Sequence, residues 1–205
     1  MYHGERFNSI SHLAGAVAAA AGSVAIIVLA ALRGDPWKIV SFSIYGATLI
    51  LLYTSSTLYH SIQGRPKAFF QKLDHGSIYL LIAGSYTPFS LVTLRGTLGW
   101  TIFGIVWGLA ALGIIVDVLH KDGKRIIPIF IYLIMGWLAV IAFRPLHAAL
   151  ATAGFTWLLI GGLFYTGGIV FYLIDRRMPH AHGIWHLFVL AGSAAQFVSI
   201  AGYVL

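Results

Sequence analysis

The 205-residue chain has only nineteen charged residues, six acidic and thirteen basic, and they are clustered. Seven intervals are left without charge: 7–32, 39–64, 75–94, 96–116, 126–143, 145–174 and 178–205. They run from 18 to 30 residues. An α-helix needs ~20 apolar residues to cross a hydrocarbon core of ~30 Å, so each interval meets or nearly meets the length of a span. The pattern predicts an all-α membrane protein, a seven-transmembrane helix bundle with helices near 8–32, 39–62, 73–94, 97–119, 126–143, 147–174 and 182–204. Barrel strands of ~10 residues would alternate polar with apolar, whereas these runs are apolar throughout. Charged residues make up 9% of the chain, against roughly a quarter in soluble domains. With 36 residues left for tails and connections, residues 1–205 read as one membrane domain whose chemistry lies inside the bundle.

The basic residues set the orientation. Nine fall on the side of the N-terminus (Arg6, Arg65, Lys67, Lys72, Lys121, Lys124, Arg125, Arg176 and Arg177) and four on the other (Arg33, Lys38, Arg95 and Arg144). Because positive charge is retained on the cytoplasmic face, the N-terminus is expected in the cytoplasm and the C-terminus outside. Retinal proteins and G-protein-coupled receptors run the opposite way, and no G protein is expected as a partner. The formal net charge of +7 follows from this topology and from anionic lipid headgroups, so no nucleic acid is expected either. The chain has no cysteine, which excludes disulfides and thiolate metal ligands.

Ionisable groups within a bilayer are costly and each needs an explanation. The second span ends Ser55-Ser56-Thr57-Leu58-Tyr59-His60, the third begins Leu73-Asp74-His75, and the seventh begins His182-Gly183-Ile184-Trp185-His186. The topology brings His60, Asp74, His182 and His186 to one depth near the cytoplasmic end. His182 and His186, four apart on a helix, share a face and can hold one ion. Gly183 stands where an H-E-x-x-H zinc protease has its Glu, so a general base must come from elsewhere. With His60 as a third nitrogen, the set matches a catalytic Zn2+ that keeps a fourth position open and brings the pKa of bound water to ~7. Asp74 either orients or deprotonates that water or is itself the fourth ligand. Ser56, one turn before His60, is placed to hydrogen-bond a substrate carbonyl or Asp74.

The bland alternative leaves these histidines among headgroups, but convergence from three helices favours a metal. His12 lies at the same end, where a capping and interfacial role fits better than a place beside the site. His3, His75, His120, His147 and His180 read as surface residues. Asp117 is expected to pair with Lys121, and Asp175 with Arg176 or Arg177. Gln196 reads as an interhelical hydrogen-bonding residue and Pro88, after Tyr86, as a kink.

At these residues the chain resembles the hemolysin III family, the bacterial branch of the progestin and adipoQ receptors, within a superfamily that includes alkaline ceramidases. The resemblance rests on the Asn8 to His12 opening, Ser56 with His60, Asp74, and the His182 and His186 pair. It implies a seven-helix bundle in the bacterial inner (cell) membrane, with zinc near the inner leaflet held by His60, His182 and His186. By the same resemblance Asp74 meets the metal through water, Ser56 supports it, and the reaction is ceramidase-like hydrolysis. The long N-terminal cytoplasmic region of the animal receptors has no counterpart, so an adiponectin-type hormone receptor is not expected.

Two function classes follow. The first is a zinc-dependent hydrolase of a lipid amide or ester, with membrane lipids as partners and a lipid or fatty-acyl substrate. The second is a non-enzymatic haemolysin, pore or membrane sensor in which zinc is structural. Oligomeric state stays open in both. A bis-His haem would need ligands facing each other across the bundle, and a retinal protein would need a lysine in the seventh span, which has none.

Overall fold

The computed structural model describes residues 1, 4–119, 126–175 and 177–205. Lys121, Lys124, Arg125, Arg176, His3 and His120, each given a role above, lie outside the described residues. Among the described residues eight α-helices follow in order: α1 (Arg6–Leu32), α2 (Pro36–Ser61), α3 (Pro66–Pro88), α4 (Thr97–Leu119), α5 (Ile126–Trp137), α6 (Phe143–Ala149), α7 (Thr152–Leu173) and α8 (Ala181–Tyr203). There is no strand among the described residues.

Five helices, α1, α2, α4, α7 and α8, are long and apolar enough to cross a membrane. Helix α5 with its 3-10 extension, together with α6, makes a sixth if the pair, bent by 56°, is one span. The charge-free intervals number seven, and the difference falls on α3. Its 23 residues are long enough, but Lys67, Gln71, Lys72 and Asp74 make its first half polar.

Local chemistry explains where the helices begin and end. The Asp35 carboxylate accepts from the backbone N–H groups of Trp37 and Lys38, and Pro36 occupies the first helical position, so α2 starts three residues before its apolar run. Helix α3 likewise starts at Pro66, well before the expected 73, because a charge marks the edge of the lipid and does not stop a helix. Pro88 closes α3 and a π-helical turn, Phe89–Thr93, follows directly. The Tyr86 hydroxyl donates to the Gly136 carbonyl and accepts from the Ala139 N–H, both at 2.8 Å, tying α3 to the end of α5.

The expected sixth helix, 147–174, is divided. Arg144 and Pro145, expected in a connection, lie in the first turn of α6, where a proline removes no helical hydrogen bond. The chain then becomes extended at Leu150 and restarts as α7.

Around the bundle α2 lies between α1 and α3, α8 between α1 and α7, and α4 beside α3. Helix α5 touches α3, α4 and α7, so the helices form a ring. Its tightest seams run through small residues. A Cβ at Gly84 would lie 2.0 Å from the Thr48 hydroxyl, and one at Gly46 2.6 Å from that of Ser23. The ring encloses the buried core of Phe42, Tyr45, Leu49 and Tyr53 from α2 with Val189 and Ile200 from α8.

Candidate metal centre

Three helix ends meet at one end of the ring. His60 is the penultimate residue of α2, and His182 and His186 lie in the first two turns of α8. The start of α8 is set by His180, which adopts a left-handed backbone (φ 64°). The first turn of α1 is stapled beside them: the hydroxyls of Ser9 and Ser61 lie 2.5 Å apart.

The three imidazoles face one another. Ring centroids lie 5.1 Å apart for His60 and His182, 4.9 Å for His60 and His186, and 4.8 Å for His182 and His186. One nitrogen from each ring falls within 4.8 Å of the other two. His60 and His186 are each 2% exposed, while His182 is half-buried.

The other side of each ring is engaged. His60 Nδ1 donates to Glu5 Oε2 at 2.7 Å, and His186 Nδ1 donates to the Asn8 carbonyl at 3.1 Å. Asp175 Oδ2 faces His182 Nδ1 at 3.5 Å. An imidazole whose Nδ1 carries the proton presents Nε2 as its lone-pair nitrogen, the arrangement that oxygen acceptors impose on metal-ligating histidines. His60 Nε2 is buried and has no hydrogen-bond partner, a cost that a metal bond would remove. The set therefore fits a cation that prefers nitrogen ligands.

Glu5 stands just outside the membrane-spanning part of α1. The hydrogen bond from His60, opposed by burial and reinforced by one from Asn8, holds its carboxyl at about 2, down from the usual 4.5. A lowered carboxyl stabilises the fold when ionised, so the contact is intact at neutral pH. It weakens as the pH falls from about 4.5 towards about 2.

Ser56 and Asp74, the two remaining residues singled out in the sequence, line a cavity of about 450 Å³, together with His12, His182 and His186. Ser56 is 1% exposed. The hydroxyls of Ser55 and Ser77 join α2 to α3 at 3.1 Å, and Ser77 also donates to the Asp74 carbonyl at 2.6 Å. Beyond this end the walls are apolar, with Leu81, Ile82, Phe89, Leu133, Leu158 and Val189 among them. Along α8 the wall runs from His182 to Gln196, about 20 Å at the helical rise. A second cavity, of about 410 Å³, opens between the start of α1 and the α7–α8 connection, and Glu5, Asn8, Asp175 and His182 line it. His182 thus borders both spaces.

Several sequence expectations need correction. His12 is not interfacial: it is 3% exposed, stacks on His186 with centroids 3.6 Å apart, and sets an edge against Tyr53. It belongs to the buried stripe Ser9, His12, Gly15, Ala19, Ser23, Ile26, Ala30, whose helical spacing carries the signal. Asp175 faces His182, a partner outside those expected for it. The Gln196 carbonyl oxygen is buried without a hydrogen-bond partner, so the expected interhelical bond is not made through it. Glu5 carries no signal in the sequence, since its partner is 55 residues away.

A helical membrane protein with a three-histidine cluster, one ring of which borders both an apolar and a polar cavity, is the class that fold and site define. Comparison with known proteins narrows it. The family model described as Haemolysin-III related matches residues 1–197. The chain is 46% identical to a protein named Hemolysin-3 homolog from Bacillus subtilis (strain 168), over 96% of this chain and 92% of that one. It is 45% identical to Hemolysin-3 of Bacillus cereus, over 97% and 90%. The human Monocyte to macrophage differentiation factor is 32% identical, over 84% and 74%. The chain belongs to the hemolysin III family and is a multi-pass protein of the bacterial inner membrane.

Proposed function

We propose that the chain is a zinc-dependent hydrolase of a lipid amide or ester, built on seven spans with its N-terminus in the cytoplasm. The observation that carries this reading is the position of His182 between two unlike cavities. One is long and apolar, about 20 Å against the ~15 Å of one leaflet's hydrocarbon, and suits a single acyl chain. The other, bordered by Glu5, Asn8 and Asp175, suits water. A lipid carbonyl and a water molecule would meet at the histidines.

Bound there by His60, His182 and His186, zinc supplies Lewis acidity and lowers the pKa of water at an open coordination position. The Asp74 carboxylate takes a proton from the attacking water and returns it to the leaving nitrogen or oxygen as the acyl C–N or C–O bond breaks. The Ser56 hydroxyl donates to the substrate carbonyl oxygen, where negative charge develops. The apolar cavity holds the acyl chain, so the reacting carbon stays within reach of Asp74. The products are a free fatty acid and an amine or alcohol.

The seven-span reading counts α3 and the bent α5–α6 pair as crossings. Its orientation is testable without background labelling, because the chain has no cysteine. A membrane-impermeant maleimide should label Thr97→Cys in intact spheroplasts and label Gln63→Cys only after permeabilisation; the reverse result would invert the topology.

The relatives named Hemolysin-3 motivate a second reading, a lytic pore or sensor with structural zinc. One experiment separates the two: incubation of zinc-loaded protein with a mixed lipid extract, followed by mass spectrometry. Hydrolysis predicts released fatty acid that disappears with chelator. An unchanged lipid profile alongside dye leakage from liposomes would replace the hydrolase with the pore.

A further inference from the structure

Glu5 has the position of a helix cap but does not act as one. It immediately precedes α1, where a carboxylate would ordinarily accept from backbone N–H groups of the first turn, yet its side chain makes no such bond. It reaches across to α2 and accepts from His60 Nδ1 at 2.7 Å, while Asn8 Nδ2 donates to the same oxygen at 2.8 Å. Asn8 in turn gives its backbone carbonyl to His186 Nδ1 at 3.1 Å. The first turn of α1 therefore touches two of the three imidazoles, one on α2 and one on α8, although it contributes no ligand.

The surroundings make this contact durable. The hydroxyl pair of Ser9 and Ser61 locks α1 to the last residue of α2. Gly183, between the two α8 histidines, lets the ring of Phe7 pack where a Cβ would stand only 2.1 Å from it. Glu5 is thus delivered to His60 by packing on both sides. Its side chain is 28% exposed while that of His60 is 3% exposed, so the carboxylate keeps contact with water on one side and grips a buried ring on the other.

We propose that Glu5 is the positioning residue of the metal centre: its carboxylate fixes the His60 ring with Nδ1 protonated and Nε2 presented to the ion. This rests on the zinc centre proposed above and adds to it a determinant on α1. A carboxylate behind a ligating imidazole orients the ring and raises its basicity, and removing such a partner weakens metal binding about 10–100-fold. The α1 segment then has a reason to begin with Glu5 and Asn8 spaced three apart, which a purely lipid-facing helix would not need.

The test compares wild type, Glu5→Gln and Glu5→Ala as full-length protein in detergent, with zinc affinity read by competition against a chromophoric chelator. Affinity should fall about 10–100-fold in Glu5→Ala and less in Glu5→Gln, which keeps an acceptor for Nδ1–H. Cobalt-loaded Glu5→Ala should show an altered d–d absorption spectrum. Asp35→Ala, which removes the cap of α2 at its far end, should lower thermal stability and leave zinc affinity unchanged. Wild-type affinity and an unaltered cobalt spectrum in Glu5→Ala would overturn the role of Glu5 while leaving the centre standing. If Glu5→Ala does not fold, wild-type affinity and spectrum in Glu5→Gln would overturn that role equally. Wild-type protein that takes up no zinc would overturn both the centre and the role of Glu5.

Discussion

His182→Ala should lower zinc affinity by about a hundredfold or more, leaving purified protein that carries little metal after dialysis. Structural zinc contributes ~10–16 kcal/mol in small zinc domains, and one of three imidazoles carries a large share of such an energy. His182 is the informative histidine to remove because it is half-buried and its loss opens no large hole. His186→Ala should lose metal as well, but it also takes away the ring on which His12 stacks and the hydrogen bond to the Asn8 carbonyl, so its loss of stability is larger. His147, exposed and remote in sequence from the three clustered histidines, serves as the control, and His147→Ala should keep wild-type metal content. Elemental analysis of the purified variants reads all of this. Wild-type zinc in His182→Ala would remove that residue from the centre.

The second large effect is expected at Asp74. Asp74→Asn keeps the shape of the side chain and removes its capacity to take a proton, so turnover of the lipid substrate should fall about 10²–10⁴-fold. Zinc content should stay close to that of wild type. The pairing of the two readouts separates the roles open to this carboxylate: a base that acts on water loses activity alone, whereas a ligand loses activity and metal together. Ser56→Ala should lower turnover about 10²–10³-fold with full metal content, as expected for one donor to a developing oxyanion. Unchanged turnover in Asp74→Asn would take the proton transfer away from Asp74.

The membrane character is legible because it is written in composition: an uncharged run of twenty or more residues has few alternatives to a span. The boundaries are less so. Charge exclusion marks where lipid begins, and α3 runs on for about two turns beyond that edge, through Lys72 and Lys67 to Pro66. Pro36 and Asp35 illustrate the reverse case, in which capping chemistry fixes a helix start that hydropathy alone misplaces. The division at Leu150 has neither glycine nor proline at the break itself, so nothing local announces it.

Within the site, residues brought together by one helix are the easiest to find. His182 and His186 declare themselves by their spacing, and His60 joins them once topology sets the depth of each helix end. Glu5 and Asp175 stay hidden for a different reason. Both sit at interfacial ends where arginines lie closer in sequence, and the contact that matters crosses between elements. His12 is easily misplaced when a polar residue near a helix end is weighed singly. Its membership of a stripe of small residues facing inward is the stronger signal.

The central claim is that three imidazoles from α2 and α8 hold one zinc ion. X-ray absorption spectroscopy at the zinc edge, on wild-type protein purified without added chelator, tests it most directly. The account predicts one ion per chain with three imidazole nitrogens at ~2.0–2.1 Å and a further light-atom ligand completing a tetrahedron. Absence of zinc after growth in zinc-replete medium, or a spectrum without imidazole scattering, would contradict it.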